Sequence, residues 1–232
     1  MNVVPDGPFE HGSLTDSAHA HEYFDRFPRF REALAWMNEF VLQPDTRLSR
    51  PGAVCPRLAP TVRRNLLWLG SIKALSFETE DAVRLGREMI PWFGEFFATN
   101  EAFRAGSLLA VFSDVPMDKG AQFIDQGHRR LRPHFVRAGL MLGEFHPHST
   151  VGSVRNPDFP VMRSPVPMFA VRALTVHDLM FLDTEQTPAV QRREYLELYL
   201  KYVGDEISEK ARARVTGRIR ETEEQLRLAA RS

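Results

Sequence analysis

Leu140-Met-Leu-Gly-Glu-Phe-His-Pro-His-Ser-Thr150 is the stretch that decides the fold. An apolar run stops on two histidines spaced around a proline. A loop rich in proline, asparagine and arginine follows, through Arg155-Asn-Pro157 and Arg163-Ser-Pro-Val-Pro167. A second apolar run, Val166 to Ala173, leads away. Short apolar runs bounded by turn residues read as buried strands. Here a loop joins two of them.

Working outward, Leu66 to Leu75 reads as a strand. Glu78-Thr-Glu-Asp81 then opens a helix, its acidic first turn complementing the helix dipole. Val83, Met89, Ile90, Phe93 and Phe97 make its apolar face. Gly106 ends that segment, and Ser107-Leu-Leu-Ala-Val-Phe-Ser113 is another buried strand. Asp118 to Arg137 is helical, with Phe123, Ile124 and Phe135 inward. Upstream, Phe30, Leu34, Met37 and Val41 recur at helical spacing after Pro28, and a proline-punctuated loop covers 43–60. Downstream come a short helix over 175–182 and a helix over 188–202. A charged helix from Ile207 to Ala230 carries a thin stripe at Val215, Ile219 and Leu226. Such a helix is not stable alone, so it must pack across the domain or on a second subunit.

The order strand, helix, strand, helix, strand, loop, strand predicts an α+β fold. We expect one mixed or antiparallel sheet with helices packed on one face, in a ferredoxin-like arrangement, plus C-terminal helices. The expected division is an irregular N-terminal arm over 1–25, a single α+β domain over 26–203, and a C-terminal helix over 204–232.

Composition narrows the function. The chain has 232 residues, 43% of them hydrophobic, with 17 phenylalanines, so it can build a large core. Its 30 basic and 30 acidic residues balance, which argues against a nucleic-acid partner that needs a basic stripe. One cysteine, Cys55, excludes an internal disulfide and a cysteine-rich zinc cluster. The N-terminus lacks the pattern of a secretory signal, and no apolar run spans a membrane. The expectation is a cytoplasmic protein with a small-molecule substrate. A homo-oligomer formed through the C-terminal helix is a further expected partner. Glycine-rich phosphate loops, His-Glu-x-x-His and Gly-x-Ser-x-Gly are all missing.

The candidate site gathers around the two histidines. If the strand continued, alternation would put Glu144, His146 and His148 on one face, the donor set of a mononuclear iron centre. Pro147 opposes that, which leaves His146 as a single ligand, or both histidines as plain loop anchors. Arg155, Arg163 and Arg172 offer planar donor forks for carboxylates such as haem propionates, or serve as surface ion pairs. Arg163 is favoured because the prolines after it restrict its backbone. Cys55 could supply a thiolate ligand, and core packing is the plainer role. His177 is a weaker candidate, and its neighbour Asp178 does not face it on a helix. Catalytic residues are not assigned.

In order, Cys55-Pro56, Phe145-His-Pro147, Asn156-Pro157 and Arg163-Ser-Pro-Val-Pro-Met168 resemble the marks of an uncharacterised actinobacterial family often found near biosynthetic genes. From Gly143 through His146-Pro147 and Arg155 to His177 the chain also bears a remote similarity to the YqcI/YcgG family, which includes haem-dependent N-hydroxylases. That similarity implies haem b with His146 as proximal ligand, Arg155 and Arg163 near the haem edge, and Cys55 in an early motif. Phe145, Met168 and Phe169 would form apolar walls. The expected function is haem-dependent, oxygen- or peroxide-using oxidation of a small amine-bearing metabolite in bacterial specialised metabolism. Two alternatives stand beside it: a non-haem iron enzyme using His146 and His148, and a non-catalytic binding or assembly protein.

Overall fold

The computed structural model describes residues 7–230. By contacts the chain divides into two compact units. The first runs to Arg132 and resumes over Leu142–Ala173, and the second holds Pro133–Met141 and everything from Leu174 onward. The helix expected to stand apart from residue 204 therefore belongs to a larger second unit.

A five-stranded sheet has the order β1-β2-β3-β5-β4. The strands are β1 (Thr15–Asp16), β2 (Leu67–Ile72), β3 (Ser107–Phe112), β4 (Leu140–Phe145) and β5 (Met168–Ala173). β1 is antiparallel to β2, β2 parallel to β3, and β3 antiparallel to β5. The sheet is mixed and the fold is α+β, as the strand pattern predicts. The ferredoxin-like order is not the one found. That order separates the two strands of its βαβ unit, whereas β2 and β3 lie side by side. Their crossover runs through α3 (Thr79–Phe96) and α4 (Asn100–Ala105).

Helices cover both faces of the sheet rather than one. Phe30, Ala33 and Met37, from α1 (Arg29–Trp36) and the π-helical turn after it, pack on Leu67, Leu69, Leu109, Val111 and Met168. The opposite face receives α3, where Trp68 meets Phe96 edge-on at 4.7 Å, and Phe123, which meets Phe112 at 4.9 Å. The cause is in β3: Leu108 to Phe112 are all buried, so both faces are apolar and each needs a cover.

Two other elements depart from the sequence reading. The arm expected to be irregular over 1–25 supplies edge strand β1, and residues 1–6 of it lie outside the described residues. A short helix, α2 (Leu58–Arg63), begins inside the proline-rich loop. The arm is anchored by Glu10 N–H donating to the Ser71 carbonyl at 2.8 Å, and by the Ser13 hydroxyl accepting from Ser71 N–H at 3.0 Å. Phe9 lies over Gly70, where a Cβ would come within 2.3 Å of its ring. Only glycine admits that approach.

α5 is Gln126–Arg137 and α6 is Leu179–Leu182. In the second unit, α7 (Ala189–Val203) and α8 (Glu209–Ala229) pack together. Tyr195, Tyr199, Val203 and Val215 are buried in one core with Leu174 and Leu182, and Ile207 and Ile219 pack against it. The stripe of α8 thus finds its partner within its own unit. Arg218 donates to both oxygens of Asp183, at 2.9 and 3.1 Å, and ties α8 to the end of α6.

Candidate functional site

β2 and β3 end in this chain on Ser71-Ile72-Lys73 and Phe112-Ser113. Beside them lies a cavity of about 260 Å³ lined by Glu10, Arg26, Phe27, Arg29, Ser71, Lys73 and Ser113. Glu10 is its centre. Its Oε2 accepts from the Ser71 hydroxyl at 2.5 Å and from the Ser113 hydroxyl at 3.2 Å, while Lys73 Nζ sits 3.3 Å from Oε1. Burial alone would raise this carboxyl. The hydrogen bonds from Ser71 and Lys73, the lysine's charge and the Ser113 bond outweigh it and hold the group below its ordinary 4.5. Glu10 is therefore a carboxylate at neutral pH. Arg26 donates to the His11 carbonyl at 2.8 Å, and among the described residues no carboxylate meets it. Arg29 is paired with Glu32 at 3.2 Å.

A second cluster surrounds His146. The strand ends at Phe145, and His146 then makes a single parallel bridge to Arg163. Its carbonyl accepts from Ser149 and Ser164 N–H, which pins the His-Pro turn to the proline-rich loop. The ring turns inward and is 1% exposed. Its Nε2 lies 3.0 Å from Asp125 Oδ1. A carboxylate only accepts, so Nε2 carries a proton. Nδ1 is buried and has no hydrogen-bond partner among the described residues. Gly120 packs on it: a Cβ there would stand 2.3 Å from Nδ1. Asp125 closes a π-helical turn, Ala121–Asp125, and such turns are frequent at functional sites.

The description that matches this chain is a domain of unknown function, DUF6875, over residues 30–214. The chain belongs to the DUF6875 family. No curated protein and no solved structure matches it. The matched segment of this DUF6875 protein contains Ser71, Ser113, Asp125 and His146, while Glu10, Arg26 and Arg29 precede it.

The residues singled out from sequence do not converge in this DUF6875 chain. Glu144 turns to His128, whose Nδ1 it pairs with and whose Nε2 meets the Leu142 carbonyl at 3.0 Å. His148 is exposed, because Pro147 ends the alternation that would have aligned it with His146. Arg155 and Arg163 are exposed, and Arg163 Nε donates to the Ser149 carbonyl at 3.3 Å. Arg172 donates to the Ala173 carbonyl. Phe145 stacks edge-on against Trp36 at 5.3 Å, and Met168 is buried in the core beneath α1. Cys55 is half-buried, its N–H bonded to the Val41 carbonyl. His177 is exposed, and Asp178 accepts from Thr175. Among the described residues no three His, Cys, Asp or Glu side chains stand together to hold a metal ion, and no helix is long and apolar enough to cross a membrane. As arranged, these residues do not fit a haem or a facial-triad iron. One imidazole nitrogen of His146 is taken by Asp125 and the other abuts Gly120.

Proposed function

We propose that this DUF6875 protein binds a small-molecule metabolite in the cavity at the ends of β2 and β3. The observation that carries this reading is Glu10. An ionised carboxylate with two serine hydroxyls on one oxygen lines a cavity beside a guanidinium that no acidic side chain meets among the described residues. Binding sites combine a preformed concavity with a few convergent polar groups of this kind. A thermal-shift screen with a library of small metabolites tests it. At least one compound raises the melting temperature, since a ligand at a hundred times its Kd adds about 2.7 kcal/mol of stability. Ser113→Phe fills the cavity and removes that shift. Compounds that stabilise the filled variant equally, or none that stabilise the natural chain, overturn the reading.

A second reading retains haem-dependent oxidation of a small amine-bearing metabolite, with His146 as iron ligand. It rests on the similarity to the YqcI/YcgG family and on one observation, the unpartnered Nδ1 of a ring anchored through Nε2 by a carboxylate. Metal-ligating histidines are anchored in this manner. The reading requires the Gly120 turn to withdraw from the ring. Protein made with haem supplied then shows a Soret band, and His146→Ala loses it with the fold intact. A colourless protein that ignores added haemin removes this reading and leaves the first untouched. A cytoplasmic location and a homo-oligomer through α8 belong to the same proposal, and light scattering on a chain ending at Gly204 tests the oligomer.

A further inference from the structure

We infer that the ligand of the strand-end cavity is a small carboxylic acid that also carries a hydroxyl or amine donor, an inference that rests on the small-molecule reading above. Three features of the cavity define that class.

Charge comes first. Lys73 is matched by Glu10, and Arg29 by Glu32. The nearby Asp114 accepts from Ala74 N–H. Among the described residues, Arg26 has a neutral carbonyl as its only hydrogen-bond acceptor. The lining therefore carries one unmatched positive charge, which a monoanion neutralises and a phosphate dianion overshoots. A guanidinium presents parallel donors that fit the two oxygens of a carboxylate.

The second feature is Glu10 itself. Oε2 is filled by Ser71 and Ser113 from within the fold. Among the described residues Oε1 is held only by Lys73, a side chain 68% exposed on a loop. A lysine so placed moves aside at little cost, because exposed ion pairs contribute about 0–1 kcal/mol. Glu10 Oε1 then offers a strong acceptor to a donor on the ligand and repels a second anionic group. The two ends of the cavity thus ask for opposite things from one molecule.

The third is size. A volume of about 260 Å³ equals that of roughly eight or nine liquid waters at about 30 Å³ each. It falls below the usual range for drug-sized ligands, about 300–1,000 Å³. A short-chain acid fits within it.

Isothermal calorimetry on the full chain with lactate, propionate and inorganic phosphate tests the inference. Lactate and propionate share size and charge and differ by one hydroxyl. Lactate binds about tenfold more tightly than propionate, the usual worth of a hydrogen bond to a charged group, and phosphate binds more weakly than either. Glu10→Gln removes the preference for lactate and leaves propionate binding in place. Arg26→Gln weakens both acids about tenfold or more. Lys73→Ala, a surface change that leaves folding intact, weakens propionate several-fold by removing one positive charge and, by baring Glu10 Oε1, widens the preference for lactate. Equal binding of the two acids, tighter binding of phosphate, or an unchanged preference in Lys73→Ala overturns the acid assignment. If no acid binds while a library compound does and Ser113→Phe blocks it, the cavity reading survives and the acid assignment falls. If nothing binds at all, both fall.

Discussion

Phe112→Ala is expected to lower the unfolding free energy by about 3–5 kcal/mol, the largest effect of any single truncation proposed for this chain. Phe112 is fully buried at the end of β3. Its ring meets Phe123 at 4.9 Å and 79°, and Phe169 at 5.3 Å and 88°. Edge-to-face pairs contribute about 0.5–1.5 kcal/mol each beyond the area they bury. Removing the ring costs its transfer energy, leaves a cavity, and breaks both pairs. A domain is stable by only about 5–15 kcal/mol, so the variant stands near the edge of folding. Urea unfolding of the two proteins measures the difference. A loss below about 1 kcal/mol would mean that the neighbours collapse into the space and the ring triad is not the anchor of that face.

Gly120→Ala carries the second large effect, about 1–3 kcal/mol of destabilisation from overpacking. The added methyl would stand 2.3 Å from His146 Nδ1 and 2.6 Å from its Cγ. The backbone is not the obstacle, since Gly120 has φ −53° and ψ −46°, an ordinary helical conformation. The ring is. It is buried and held through Nε2 by Asp125, so it cannot retreat without breaking that bond. In a His146→Ala background the same glycine change is expected to cost no more than about 0.5 kcal/mol. Denaturant unfolding of the four proteins closes the cycle. Penalties that simply add would show that the glycine and the imidazole do not share one packing site.

Much of the scaffold was legible because strong local signals mark it. Strand β4 has the bounds read from sequence, since Gly139, at φ +74°, turns the chain just before it and Pro147 stops pairing just after. The helices α3, α7 and α8 follow apolar periods long enough to be unambiguous. β1 was missed because two residues carry no period. The second cover of the sheet was missed although Ser107-Leu-Leu-Ala-Val-Phe112 announces it: a strand without alternation is buried on both sides. The π-helical turn left only one trace, a glycine inside a helical pattern.

The sites were harder to read. His146 stood out because an apolar run ended on it. Its partner Asp125 lies 21 residues earlier, on a stretch where an acid reads as a solvated helix face. The regular alternation that grouped Glu144, His146 and His148 assumed a strand that Pro147 does not allow. Glu10 gave no signal at all, since an acidic residue in a proline- and glycine-bearing arm has no neighbour in sequence to define it. Its side-chain partners Ser71, Lys73 and Ser113 lie at the ends of two strands that the parallel crossover brings together.

Glu10 and Ser113 are 103 positions apart along the chain. A contact of such high order is entropically slow to close, and β2 and β3 must already be paired before the arm has anything to grip. The arm should therefore dock last during folding and open first under thermal stress. A protease acting on that opened form would cut ahead of the sheet, erasing the ligand's anchor while sparing the strands beneath it.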